Sequence, residues 1–153
     1  MSFTMNDTFD ALPDPHSQPA FYEGVGMKRL LAWVVDTVII GVISAVIASI
    51  PLFLLWFIFP LVFLVVSLIY RIGTINAFSA TLGMRLFNIE LRDHRAQRLD
   101  GTTAAIHTVC FMVASAFFIP QIVSIFLMFM TPRGQGLHDL FTGVVAINSP
   151  GRH

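Results

Sequence analysis

The apolar positions of this chain fall into three long runs separated by shorter polar stretches. Leu30 to Ile50 has one charged residue, Asp36, in 21 positions, and Leu52 to Tyr70 has none in 19. Ala104 to Met130 has none in 27, with His107 near its start. A helix needs roughly 20 mainly apolar residues to cross the hydrocarbon layer, so the first two runs predict spanning helices over 29–50 and 52–70. Proline lacks an N–H and crowds the preceding turn. Pro51, with no polar linker beside it, therefore predicts a tight turn at Ser49 to Leu52 and a helical hairpin. The third run has Pro120 near its centre. Two arrangements are open there: one crossing helix, or two half-helices that dip in and out, since irregular backbone is tolerated at membrane depth where protein buries it.

A different periodicity appears in the polar segment 71–103. Over 86–91, Phe87, Ile89 and Leu91 alternate with Leu86, Asn88 and Glu90, as in a strand. Asp93 to Arg95 predicts a turn with Gln97 to Leu99 returning, and Val144, Val145 and Ile147 form a second β-favouring run. A two-stranded ribbon is marginal alone. A third strand from 144–147 would strengthen it and would place the C-terminus on the same face as 71–103, which favours the re-entrant arrangement of 104–130. The expected fold is an all-α membrane protein: a transmembrane helical hairpin, a third Pro-interrupted apolar segment and a small cytoplasmic β-ribbon.

Composition narrows the function. The chain has 153 residues, 56% apolar and 12% charged, with mean hydropathy +0.77; soluble domains carry about 25% charged residues. A soluble enzyme, a disordered chain and a nucleic-acid binder are all excluded on that basis. Cys110 is the lone cysteine, so no intrachain disulfide forms. Seven of the nine basic residues, Lys28, Arg29, Arg71, Arg85, Arg92, Arg95 and Arg98, precede the first run or lie in the segment 71–103. The positive-inside rule then puts the N-terminus and 71–103 in the cytoplasm. Arg133 and Arg152 join them if 104–130 re-enters. Residues 1–21 hold Asp7, Asp10, Asp14, three prolines and no Lys or Arg. This is unlike a signal peptide, and predicts a disordered acidic tail before an uncleaved membrane anchor.

Few residues carry chemistry. Asp36 lies two turns into the first helix, and a carboxylate at mid-bilayer costs about 2.5–3.5 kcal/mol on insertion scales. It is either a protonatable or cation-binding group, a buried partner for a base, or a packing contact. Arg29 shares its face seven residues earlier, but helical side chains lean towards the N-terminus, so the partner of Arg29 is expected elsewhere. Asp139, in the stretch Gly136 to Phe141, is the candidate. The His138–Asp139 pair lacks companions at metal-ligand spacing, so no metal and no cofactor is expected. His107 and Cys110, one turn apart, read as core or interface residues. Trp33, Trp56, Tyr22 and Tyr70 include candidate interface anchors. Gly41, Ser44, Ala45 and Ala48 offer small residues four apart, suited to close helix packing. No nucleophile–base pair or catalytic glycine loop is visible, so an enzyme is not expected.

The segment Gly24 to Asp36 (GVGMKRLLAWVVD), the step Thr81–Leu82–Gly83–Met84–Arg85 and the box Leu137 to Val145 (LHDLFTGVV) together resemble the RDD family of small bacterial membrane proteins, named for one Arg and two Asp. The resemblance covers 22–148, with a C-terminal box at 136–148. It puts Arg29 and Asp36 on the family's Arg and first Asp, and Asp139 on the second. Thr81, Gly83 and His138 are supporting motif positions, and Met84 stands where Lys is frequent. It implies transport, with cation/proton antiport proposed for some members. The resulting expectation is a small multi-pass inner-membrane protein in cation- or proton-coupled transport. It would work as an oligomer, because so few spans cannot enclose a pathway. In that scheme Asp36 is the protonatable site and Arg29 with Asp139 a clamp. The alternative is a non-transporting scaffold or assembly factor that binds another membrane protein. The expected partners are the lipid bilayer, copies of the chain or a membrane protein, and monovalent cations or protons, not nucleic acid.

Overall fold

The computed structural model describes residues 12–150. Helix α1 runs Val25–Ser49 and α2 runs Phe59–Phe78. They are followed by the short α3, Leu82–Leu86, and strand β1, Ile89–Arg92. After these come α4, Gly101–Ala116, α5, Phe118–Met130, α6, Leu137–Thr142, and strand β2, Val145–Asn148. Both α1 and α2 are long and apolar enough to cross a membrane, and the α4–α5 pair passes the same test when taken together.

The helix interior carries polar groups alongside apolar ones. The buried stripe of α1 is Val25, Arg29, Ala32, Asp36, Ile40, Ser44 and Ala48, at helical three- and four-residue spacing. Its outer face carries Val38, Val42 and Val46, each about 60% exposed. On α2 the buried positions include Ser67 and Arg71, on α4 His107 and Thr108, and on α5 Ser124. Polar groups are thus gathered where protein can satisfy them, and the apolar surface faces outwards, as a lipid solvent demands. Ser44 and Ala48 are fully buried within the chain, so half of the small-residue set on α1 serves packing inside the molecule.

The sequence places the breaks, though not always at the expected residue. Helix α1 ends at Ser49, two residues before Pro51, and a 3-10 turn at Leu54–Ile58 separates it from α2. The second helix was expected over 52–70 and instead runs to Phe78, so Arg71 lies within a helix and does not open the polar segment. The third run is broken at Phe117, not at Pro120, and the two halves make an angle of 118°. Pro120 still causes the break. Its ring crowds the carbonyl four residues back, which belongs to Ala116, the last residue of α4, while Pro120 itself fits in the first turn of α5.

Strand β1 pairs antiparallel with β2, in the register Ile89 with Asn148 and Arg92 with Val145. The expected returning strand at Gln97 to Leu99 is absent from this sheet. Ser79 explains why: its hydroxyl donates to the Leu91 carbonyl (2.5 Å) and accepts from the Leu99 N–H (3.0 Å), so the loop is tied to the end of α2. The β1–β2 pairing brings the chain back after α5 to the end from which it entered α4. Within residues 12–21, expected as part of a disordered tail, Leu12 and Phe21 pack against the ribbon while residues 16–20 are exposed. Leu12 is buried with Val145 and Ile147, and the Tyr22 hydroxyl donates to the Pro13 carbonyl. The apolar contact outweighs the local acidic composition. Residues 1–11 of that expected tail lie outside the described residues.

Candidate functional site

Apart from Glu90, which pairs with Arg92 on β1, the buried charged residues form two adjoining clusters. In the first, Asp36 is 1% exposed and accepts three hydrogen bonds. The Tyr70 hydroxyl donates to Oδ1 at 2.6 Å, the Gly83 N–H to Oδ1 at 2.8 Å, and the Thr81 hydroxyl to Oδ2 at 2.5 Å. Thr81 caps α3, its Oγ1 also accepting from the Met84 N–H at 3.2 Å. Gly83 is required by contact: a Cβ there would sit 2.9 Å from the Asp36 carboxylate and closer still to the Ala32 carbonyl. One carboxylate thereby holds α1 against α2 and α3.

In the second cluster Arg29 forms an ion pair with Asp139, and both side chains are buried. Arg29 also donates to the Gly134 carbonyl at 3.0 Å. The Asp139 carboxylate takes further hydrogen bonds from His107 Nε2 at 2.7 Å and from the Gly136 N–H at 2.9 Å. Burial opposes charge on Asp139, but the Arg29 guanidinium and the flanking histidines outweigh it and hold the carboxyl well below the usual carboxylate range. Burial pushes His138 down to about 3 against the pull of Asp139. Its ring is therefore neutral, and its Nε2 is the acceptor for Arg29 at 3.3 Å. His107, having given Nε2 to Asp139, keeps a buried Nδ1 with no hydrogen-bond partner among the described residues.

Between the clusters lies a cavity of about 110 Å³, whose lining includes Arg29, Asp36, Arg71, His107, Phe111 and Gln121. Arg71 is 8% exposed. Its guanidinium rests 4.5 Å from the centre of the Phe111 ring.

All three candidate residues, Arg29, Asp36 and Asp139, are therefore buried at helix contacts, with Thr81 and Gly83 on Asp36 and His138 beside Arg29. Three participants were not singled out by sequence reasoning. Tyr70, read as an interface anchor, bonds Asp36; His107, read as a core or interface residue, bonds Asp139; Arg71, read as a positive-inside charge, faces the cavity. His107 had a usable signal, being a polar group in an uncharged run like Asp36. Ligand atoms of His107, His138 and Asp139 lie within 4.8 Å of one another and form a possible three-ligand metal set. Arg29 occupies two of the three residues, so a cation there would have to displace the ion pair.

The RDD family model matches residues 25–143. No curated protein and no solved structure matches the chain.

Proposed function

Since this chain belongs to the RDD family, we propose that it is a small multi-pass protein of the bacterial inner membrane that takes part in transport as an oligomer, with the polar cavity as its solute-holding site. The observation that carries this reading is a cavity lined by charged groups inside an otherwise apolar helical body, beside a helix pair broken by 118°. Discontinuous helices around a mid-membrane polar site are a recurring device of transporters, and ionisable groups at that depth are expensive to keep. The ribbon, the N-terminus and the C-terminal box lie on the cytoplasmic side by the distribution of Lys and Arg, and α4–α5 re-enters. Two spans and a broken pair enclose no pathway, so copies of the chain complete it.

The three charged residues have a narrower role in this reading. Asp36 already accepts three hydrogen bonds that tie α1 to α2 and α3, so it acts as a lock between helices and not as a proton carrier. Arg29 and Asp139 lock α6 under α1.

The test is solute-driven pH change in proteoliposomes, with Na⁺, Li⁺ or K⁺ salts added outside. A saturable response absent from empty vesicles is expected. A flat trace with insertion verified overturns the transport reading in favour of the scaffold, which the saturated carboxylates also suit. Asp36→Asn separates the two roles of Asp36. Flux that falls only with the folded fraction fits a lock, whereas flux lost from a fully folded variant places the coupling proton on Asp36.

A further inference from the structure

The two clusters balance in charge but not in hydrogen bonds. Two arginines, Arg29 and Arg71, face two carboxylates, Asp36 and Asp139. Both carboxylates are saturated with donors, and Arg29 is spent on Asp139, Gly134 and His138. Arg71 is different. It feels the charge of Asp36 and lies on the face of Phe111, yet its guanidinium makes no hydrogen bond or ion pair among the described residues. A guanidinium offers five N–H donors in a planar fork, and those of Arg71 are turned to the cavity it lines. Such a fork is matched by an oxygen acceptor.

Three observations specify it. The cavity, about 110 Å³, is several times the about 10–15 Å³ that a single water needs. Gln121 shares the lining, and its Oε1 accepts from the Ser115 hydroxyl at 3.2 Å, which leaves its amide nitrogen as a second donor. Trp33 and Phe129 line the cavity and are also 43% and 52% exposed on the apolar outer surface, so the space borders the lipid. Resting on the reading of this cavity as the solute site, we propose that Arg71, assisted by Gln121, binds an anionic oxygen group, a carboxylate or a phosphate, within the membrane domain. The planar fork matches the two oxygens of such a group, and Phe111 holds the guanidinium in plane. The group belongs either to a free small anion or to an anionic lipid.

The full-length protein in phosphatidylcholine nanodiscs is titrated calorimetrically with acetate and with inorganic phosphate. In parallel, the protein in mixed phosphatidylcholine–phosphatidylglycerol nanodiscs is released into native mass spectrometry to read retained lipid. Saturable binding of acetate or phosphate that is weakened about 10- to 100-fold in Arg71→Gln supports a free anion. Retention of phosphatidylglycerol by the unmodified protein, lost in Arg71→Gln, supports a lipid. Absence of both, or binding unchanged in a folded Arg71→Gln, overturns the proposal and leaves the cavity to water. If Arg71→Gln does not fold, Gln121→Leu, at a partly exposed position, must weaken the same anion; unchanged binding there is equally fatal. These readouts do not depend on flux. Anion binding without flux keeps the site and removes transport, and flux without anion binding does the reverse.

Discussion

The Gly83 N–H points at the Asp36 carboxylate from 47 residues away and meets Oδ1 at 2.8 Å. The contact depends on the absence of a side chain at 83, because a Cβ would lie 2.9 Å from the same carboxylate and nearer still to the Ala32 carbonyl. The donor and the clearance are one requirement. Gly83→Ala is expected to push α3 away from α1 and to cost about 1–3 kcal/mol, the usual range for overpacking. Thermal unfolding in detergent measures it, and a stability within 0.5 kcal/mol of the unmodified protein, roughly the neutral range for surface changes, would contradict the contact.

The three donors on Asp36 are not equivalent. Thr81→Val removes a hydroxyl that both donates to Oδ2 and caps α3, whereas Tyr70→Phe removes one donor from Oδ1, which keeps Gly83. Leaving a buried charged acceptor short of a donor costs about 1–3 kcal/mol, and loss of a cap adds about 1 kcal/mol. Thr81→Val is therefore expected to destabilise more than Tyr70→Phe, as read by the order of their melting temperatures. The reverse order would shift the main support of Asp36 to the hydroxyl of Tyr70.

Removing either member of the Arg29–Asp139 pair strands the other in a buried site, at a cost of about 3–5 kcal/mol. Arg29→Gln and Asp139→Asn should each be strongly destabilising. The double variant should cost less than the sum, with a coupling of about 1–3 kcal/mol. A charge swap is not expected to rescue. An arginine at 139 would face His107 Nε2 and the Gly136 N–H, both donors placed for a carboxylate. Additive single effects in the cycle would mean that the two residues act independently.

His138 gives a pH signature with a definite sign. Its pKa falls from the ordinary 6.5 to about 3 in the folded protein, so between those values the unfolded chain binds a proton that the folded chain refuses. Stability is then level above about pH 6.5 and declines as pH falls from there towards 3. Asp139, held below the usual range, adds a second loss only below about pH 4. His138→Gln, which retains an acceptor for Arg29, should flatten the decline between pH 6.5 and 4. Unfolding midpoints across that range supply the check, and parallel curves for the two proteins would remove His138 as its source.

Much of the architecture was legible because membrane burial writes long signals. Two uninterrupted apolar runs and Pro51 dictate α1, α2 and the turn between them. Pro120 dictates a break in the third run, although the broken residue is Phe117, since proline acts on the turn before it. The β-favouring run at 144–147 was legible as a strand, and the chain then paired it with β1 and tied 97–99 elsewhere through Ser79.

The charged residues divide in the same way. Asp36 announces itself as a charge in an apolar helix, and the lean of helical side chains directs Arg29 away from it, towards Asp139. The donors that decide what Asp36 does, Tyr70, Thr81 and Gly83, lie 34 to 47 residues away. Nothing in local periodicity assigns them, because a hydrogen bond needs a distance and an angle that only packing supplies. Arg71 makes the point most sharply. In the sequence it is one of nine basic residues, all outside the first two runs, and its burial was decided by the extra turns of α2 and by the α4 face that brings Phe111 over it. The length and composition of the apolar runs establish that this chain is built for a membrane and which charges are costly there. Packing settles which of those charges meet a partner and turns the Arg71 guanidinium to the cavity, because partners come from neighbours far away in the chain.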